Sequence, residues 1–265
     1  MIQSVLKAID MLYLFSPTEP TLTLGQISER MNMPKSTAYN LLNTLVSRGF
    51  IERVNDDHYA LGTAIIPLTQ AARVNAELRD RAAPLLRELA DTSKESVYLT
   101  YLDGDYVLYI YAIETTNRLM ARSAVGDRVH PHCTGVGKAI LAALPWPQVE
   151  SMIGRIGLPR FNEHTITDPE ALRQELELTR QRGYSIDNQE HELGLFCMGA
   201  AIRDSQGKPI GACSLSGLDP EIIGARKASL SADLLYTAQE ISRRMGYVPA
   251  MPSLIVSRSN HQNRS

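Results

Sequence analysis

The stretch from Leu22 to Gly62 constrains this 265-residue chain most, because two helical patterns with a break between them run straight into a hairpin pattern. Leu24, Ile27 and Met31 stand at i, i+3 and i+7, the spacing of one helix face. Asn32-Met33-Pro34 ends that helix, since Pro disfavours helical geometry in the residue before it and suits the first turn of the next helix. From Lys35 onward, Ala38, Leu41, Leu42, Leu45 and Val46 recur at helical spacing, predicting a helix of about fourteen residues with one buried face. Gly49 stops it. The opposite face carries Lys35, Ser36, Thr37, Tyr39, Asn40, Asn43, Thr44 and Arg48: hydroxyls, amides and cations, with no carboxylate. Such a face can enter a major groove and donate to phosphates and base edges. Phe50 to Val54 then alternates as a strand, Asn55-Asp56-Asp57-His58 is turn-forming, and Tyr59 to Gly62 returns. A hairpin directly after such a helix reads as the wing of a winged helix-turn-helix, with Arg53 and His58 within reach of a phosphate backbone. The competing reading is a three-helix module that binds protein.

Charge sets a condition on that reading. Residues 1–62 hold five Lys and Arg against six Asp and Glu, a net charge of −1, whereas DNA-binding domains usually carry a basic excess. Affinity then depends on where the charges stand, and two or more copies acting together would supply the rest through effective concentration.

The whole chain has a net charge of −2 with 44% hydrophobic and 21% charged residues, an ordinary globular composition with enough apolar material for a core. Its length suits one large or two small domains. Neither a nucleic-acid-coating nor a membrane-surface protein is indicated. Cys133, Cys197 and Cys213 form no C-x-x-C pair and are odd in number, which points to a reducing cytosol. The first residues show no signal peptide and no apolar run reaches membrane-spanning length, so a soluble cytoplasmic protein with no membrane partner is expected.

Before the winged segment, Val5, Leu6, Ile9, Leu12, Tyr13 and Leu14 predict an amphipathic first helix stopped near Ser16-Pro17. After it, Ala64 to Arg79 keeps helical spacing through Leu68, Ala71, Ala72 and Leu78 and reads as a linker helix whose mild apolar stripe could also serve a second subunit. A second domain opens with a helix at 83–92, followed by a hairpin of Val97–Leu102 and Tyr106–Tyr111 around Asp103-Gly104-Asp105. Further strands are expected at 118–124, 184–186, 196–202 and 210–216. Thr167-Asp168-Pro169-Glu170 starts a helix that Gly183 ends. A helix over 226–245 closes the fold, and the polar residues from Pro249 onward predict a disordered tail. Strands and helices mixed without regular βαβ alternation indicate an α+β sensor domain built on an antiparallel sheet.

Two constellations in this domain could hold a ligand. In Val129-His130-Pro131-His132-Cys133-Thr134-Gly135-Val136-Gly137-Lys138-Ala139, the chain passes through two glycines into a helix of Ala139, Ile140, Leu141 and Ala142. Backbone N–H groups converging beside a helix N-terminus favour an anion. A phosphate-binding P-loop would need Gly at 132 and Ser or Thr after the lysine, where His132 and Ala139 stand, so a small carboxylate fits better than a nucleotide. The alternative is a glycine turn needed only for close packing. The second constellation is Asp187-Asn188-Gln189-Glu190 through Cys197, with Ser214-Leu215-Ser216. Ser214 and Ser216 share one strand face, with Cys213 and Leu215 on the other. Hydroxyls, one thiol and backbone amides suit a small oxygen-rich anion; two satisfied edge-strand serines are the plainer reading. Cys197 with His191 or His164 could form a nucleophile and base on paper, without support from spacing. His130, His132 and Cys133 lack paired-ligand spacing for a metal. No catalytic residue and no cofactor is expected.

With these residues in view, the chain resembles the IclR family of bacterial transcriptional regulators. The resemblance rests on Pro34 to Leu45, on His132 to Ala139, and on Asp187 to Glu190 through Cys197 to Ser214-Leu215-Ser216, in the family's order over about residues 4–247. It implies a winged helix-turn-helix (1–62), a linker helix (63–80), a GAF/PAS-like effector-binding domain (81–248) and a flexible tail (249–265). It further implies dimers, often paired into tetramers, bound to double-stranded DNA near a promoter and responding to a small organic acid or aromatic metabolite. With the charge of −1 over residues 1–62 this leads to a palindromic operator, and with the glycine segment to a small carboxylated or aromatic effector. Repression is favoured over activation. Carried onto this sequence, effector contacts fall at the Gly135-Val136 backbone, Asp187, Cys197, Ser214 and Ser216; apart from the resemblance, apolar neighbours such as Met198 or Leu119 are expected to set the size limit. Members often carry Arg, which reads guanine, where Asn40 stands; the Asn here puts that readout in doubt and suits adenine. A Pro common after the Cys strand is replaced by Ala201. The alternative is a small-molecule-processing enzyme that uses its winged domain to dimerise.

Overall fold

The computed structural model describes residues 1–16, 19–55, 57–71, 73–114 and 125–248. The expected strand at 118–124, Leu119, Ala72 and the tail at 249–265 lie outside them. The N-terminal segment runs α1 (Gln3–Leu12), β1 (Thr21–Thr23), α2 (Leu24–Arg30), α3 (Lys35–Ser47), β2 (Ile51–Arg53) and β3 (His58–Leu61). Thr23 starts α2 with a reciprocal cap: its hydroxyl oxygen accepts the Gln26 N–H at 3.3 Å, and Gln26 Oε1 accepts the Thr23 N–H at 2.8 Å. Asn32, at φ 46°, turns the chain between α2 and α3, and Gly49, at φ 72°, ends α3. β2 and β3 form the expected hairpin, and β1, which the sequence reading left out, adds to β3 on its far side. Met11, Phe15, Leu22, Ile27, Met33, Ala38, Leu42, Ile51 and Tyr59 close one core among these elements.

The first helix departs from expectation. It ends at Leu12 and touches the core through Met11, while Val5 and Ile9 are 50% and 44% exposed. With Leu41, Leu45 and Phe50 they line an apolar groove of about 440 Å³ between α1 and α3. The stripe is real, but only its C-terminal end reaches the core.

The linker is also longer than expected. After α4 (Ile65–Ala71), α5 runs unbroken from Arg73 to Ser93 and contains both the expected linker end and the separate helix at 83–92. Leu78, Ala82, Leu86, Leu89 and Ala90 form one buried stripe that carries the helix across Pro84, which removes one of its hydrogen bonds.

Among the described residues the second sheet is antiparallel, in the order β6-β5-β4-β9-β8-β7. Its strands are β4 (Ser96–Asp103), β5 (Tyr106–Ile113), β6 (Arg128–Val129), β7 (Ser185–Asn188), β8 (Phe196–Arg203) and β9 (Pro209–Gly217). Period-2 alternation splits these strands between two cores. Val97, Leu99, Met198, Ala200, Cys213 and Leu215 face α5 and α9 (Lys227–Arg244). Val107 and Ala212 face α6 (Gly135–Ala142), α7 (Trp146–Ile156) and α8 (Pro169–Arg182). α8 begins as expected, with Asp168 accepting the Ala171 N–H at 2.8 Å and Pro169 in the first position, and ends at Gly183 with φ 85°. α7 and β6 were not anticipated.

α6 lies directly on β8 because glycines face each other there. A Cβ at Gly199 would come within 2.4 Å of the Gly135 carbonyl oxygen. Gly199→Ala should therefore cost about 3 kcal/mol, lowering Tm by roughly 6–12 °C in thermal unfolding. Gly154→Ala, on an exposed stretch of α7 with open space around it, should instead stabilise by up to about 1 kcal/mol.

Candidate functional site

The first surface of interest is α3. Ala38 and Leu42 anchor it in the core, which turns Lys35, Ser36, Tyr39, Asn40, Asn43, Thr44 and Arg48 to solvent and leaves Thr37 half-buried. The Thr44 hydroxyl donates to the Asn40 carbonyl at 2.9 Å, so it meets a partner outside the helix as an acceptor. At the wing, Asn55 Oδ1 accepts the N–H groups of Asp57 and His58 and sits 3.1 Å from His58 Nδ1. The Arg53 guanidinium lies 5.8 Å from the centroid of the Tyr59 ring. The hairpin is thus locally ordered, with Arg53 and His58 already engaged within it.

The second site is built on the sheet face beneath α6. Residues opposite one another in antiparallel strands share a face, and the register sets Asp187 against Cys197, Cys197 against Ser216, and Ser216 against Ser96. The next row sets Ser185 against Gly199, Gly199 against Ser214, and Ser214 against Tyr98. Cys197 Sγ lies 2.8 Å from the Ser216 hydroxyl. Asp187, Cys197, Ser214 and Ser216 therefore share one sheet face, contributed by β7, β8 and β9. Ser96 joins them across the sheet; only the β4–β9 register reveals it. Met198 does not belong with them. It points into the core against α5 and α9, on the other face of β8, because neighbouring strand residues alternate.

The helix over this floor starts at Gly135, four residues earlier than read from the sequence. Thr134 caps it, its hydroxyl accepting the Gly137 N–H at 3.1 Å and its carbonyl the Lys138 N–H at 2.9 Å. The N–H groups of Gly135 and Val136 belong to the first turn, where a helix supplies no internal partner. The Val136 side chain is buried in the core, which leaves its backbone for the site. Gly137 serves close packing: a Cβ there would lie 2.2 Å from the Pro131 carbonyl oxygen. The Ser185 hydroxyl donates to the Gly135 carbonyl and ties the helix start to β7.

A buried ionic group borders the site. Lys138 is fully buried, pairs with Glu190 and lies 3.8 Å from Glu175, which Arg182 also binds. The Glu190 N–H donates to Asp187 Oδ1 at 2.8 Å, and its carbonyl accepts the Thr165 hydroxyl at 2.7 Å. Glu190 Oε2 is buried without a partner. Asp187 is 2% exposed. Burial pushes its carboxyl up to about 7; Lys138 pulls against this, and the Glu190 charge adds to it. Burial also raises Glu190, again opposed by Lys138.

The remaining candidates have structural surroundings. His132 donates from Nε2 to the Pro159 carbonyl at 3.1 Å, and burial lowers it to about 4, so it is neutral. His191 packs on Phe161, 4.9 Å between ring centroids, and Cys197 is engaged with Ser216 rather than with a histidine base. Among the described residues no group of three or more His, Cys, Asp or Glu is arranged to hold a metal ion, and no helix is long and apolar enough to cross a membrane.

Comparison with known proteins agrees with this architecture. Residues 4–55 match the IclR helix-turn-helix domain, and residues 70–243 match the C-terminal domain of bacterial transcriptional regulators of the IclR type. The transcriptional repressor IclR of Escherichia coli K12 is 30% identical over 248 residues, which span 92% of this chain and 90% of that protein. The crystal structure of Thermotoga maritima IclR is 31% identical, with a TM-score of 0.78 over 93% of this chain and 100% of that one. An IclR homologue from Microbacterium hydrocarbonoxydans, complexed with 4-hydroxybenzoate, is 25% identical, with a TM-score of 0.79 over 91% of this chain and 98% of its own.

The Asp187 environment has a measurable consequence. Its unfolded carboxyl ionises near 3.8 and its folded one near 7, so between these values the folded chain holds the extra proton. Stability therefore falls as pH rises through that window. Asp187→Asn cannot ionise, and the drop in Tm between about pH 5 and about pH 8 should be smaller in this variant than in the parent.

Proposed function

The chain belongs to the IclR family of bacterial transcriptional regulators, which are DNA-binding and non-enzymatic, and on that premise we propose that it is a repressor released or retuned by a small carboxylated effector. The observation that carries the effector reading is the start of α6 standing over the Asp187–Cys197–Ser216 row. In this reading the N–H groups of Gly135 and Val136 hold the carboxylate. The hydroxyls of Ser214 and Ser216, with Asp187 and Cys197, take the remaining oxygens. That the Microbacterium homologue binds 4-hydroxybenzoate, an aromatic carboxylate, supports this ligand class. We further propose the division 1–62 for DNA binding, 63–80 for the linker and 81–248 for effector binding. α4 and α5 form the connection between them.

On the DNA side, Lys35, Ser36, Thr37, Tyr39, Asn40, Asn43, Thr44 and Arg48 are assigned to the groove, and Arg53 and His58 to the flanking backbone. The net charge of −1 over residues 1–62 supports binding by at least a dimer to a palindromic operator, since one copy attracts DNA weakly.

In gel shifts with the chain's own upstream region, Lys35→Ala should weaken binding to all sequences and reduce the salt slope by about 1. Asn40→Ala or Asn43→Ala should lose about 1–3 kcal/mol of discrimination at a single base pair. If all three variants bind like the parent, α3 is not the reading helix. The effector assignment is checked separately. The double variant Ser214→Ala/Ser216→Ala should lose the ligand response while its DNA affinity without ligand stays unchanged; loss of DNA binding with ligand affinity intact would move the effector site elsewhere.

A further inference from the structure

We propose that the effector site binds its carboxylate together with a proton, which lodges between the ligand and Asp187, so that effector affinity is set by pH. The inference rests on the ligand position proposed above and adds to it the protonation state of the complex.

The geometry leaves little choice. Asp187 is almost fully buried on the same strand row as Cys197, and a Cβ at Gly135 would lie 3.3 Å from that of Cys197. A carboxylate seated on the Gly135 and Val136 N–H groups is therefore a close neighbour of the Asp187 carboxyl. Two carboxylates sharing a water-poor site cannot both ionise. The groups around Asp187 do not relieve the conflict. Among the described residues Lys138, from α6, is the cation acting on it, and that charge is already committed to Glu190, with Glu175 of α8 beyond. Glu190, in the turn after β7, adds a like charge, though its N–H stabilises Asp187 Oδ1. Cys197, from β8, stabilises the ionised Asp187 through its thiol but brings no positive charge, and burial holds the Cys133 thiol, before α6, protonated. The nearby imidazoles of His130, His132 and His191 are all lowered by burial and supply no proton above neutrality.

The proton comes from solvent: ligand carboxylate, ionised Asp187 and H⁺ combine into a complex in which the Asp187 hydroxyl donates to a ligand oxygen. No covalent bond forms or breaks except that O–H. In the free protein Asp187 changes state at about 7. A ligand with a carboxylate ionised throughout should thus bind with constant affinity below about pH 6 and about tenfold more weakly per pH unit above about pH 7.

Isothermal titration of the full chain with 4-hydroxybenzoate, pyruvate and gluconate tests this. At about pH 8, titrations in two buffers of different ionisation enthalpy should give uptake of about one proton per ligand, falling toward zero at about pH 6. Asp187→Asn should bind, if more weakly, with no uptake and no pH slope. Glu190→Gln removes the like charge and should move the break to lower pH with the slope retained. Binding by the parent that stays constant from about pH 7 to about pH 8.5, without proton uptake, overturns the inference and leaves the site assignment standing. Binding of none of the three acids at any pH overturns the carboxylate reading itself.

Discussion

The contact between the first turn of α6 and the middle of β8 is the constraint on which the proposed ligand site depends. Backbone meets backbone there, with Gly135 on the helix, Gly199 on the strand and Gly137 against Pro131. A helix normally stands off a sheet by the thickness of its side chains. Removing the side chains on both sides brings the helix N-terminus down onto the polar sheet face of Asp187, Cys197, Ser214 and Ser216. In the proposed effector site, its first N–H groups and that face would address the same ligand. Thr134 and Ser185 fix the position, one by capping the helix and the other by holding the Gly135 carbonyl. The close-packing reading of the glycine segment thus holds for both Gly135 and Gly137, while the anion-cradle reading concerns Gly135 alone and belongs to the proposed effector site.

The buried pair of Lys138 and Glu190 follows from the same placement. A lysine one turn into a helix that lies flat on a sheet cannot reach solvent, and a buried ammonium requires a partner. Glu190 supplies one from the turn after β7, and the same residue's backbone binds Asp187 and Thr165. The ion pair thus holds this turn against α6 and fixes the electrostatics of Asp187. Breaking such a pair leaves an uncompensated buried charge, so a change at Glu190 acts on stability as well as on Asp187.

Much of this was legible in the sequence, for physical reasons that differ between its two halves. The helix-turn-helix is local: caps, a break at Pro34 and a terminating glycine lie close together, so α2, α3 and the hairpin could be read directly. β1 could not, because three residues carry no period and pair with β3 from far away in the chain. Helix α7 carries Val149, Met152 and Ile153 at helical spacing, but prolines at 145 and 147 obscured its start. The division of one helix into a linker ending at Arg79 and a separate element from 83 falls at the charged run Arg79-Asp80-Arg81, whereas a continuous buried stripe through Leu78, Ala82 and Leu86 joins the two. In the sheet, alternation correctly paired Ser214 with Ser216 and excluded Cys213 and Leu215. Applied to β8, the same rule excludes Met198 once Cys197 faces the site. Ser96 was out of reach, since only strand register joins residues so distant in sequence.

The two faces of the central strands suggest how a ligand could be felt at the other end of the chain. In β9, Ser214 and Ser216 face the site while Cys213 and Leu215 pack in the core that α5 closes; in β4, Ser96 faces the site while Val97 and Leu99 enter that core. A shift of either strand toward a bound ligand is a shift away from, or along, α5, because close-packed interiors transmit displacement rather than absorb it. α5 in turn follows α4 and the winged segment in the chain. Such continuity alone does not make a switch: the ligand must bind two arrangements of the chain with different affinity. The place where that difference can arise is the α6–β8 contact. Glycine meeting glycine leaves no side chain to adjust there, so a ligand wedged beside Gly135 must move the helix or the strand as a unit.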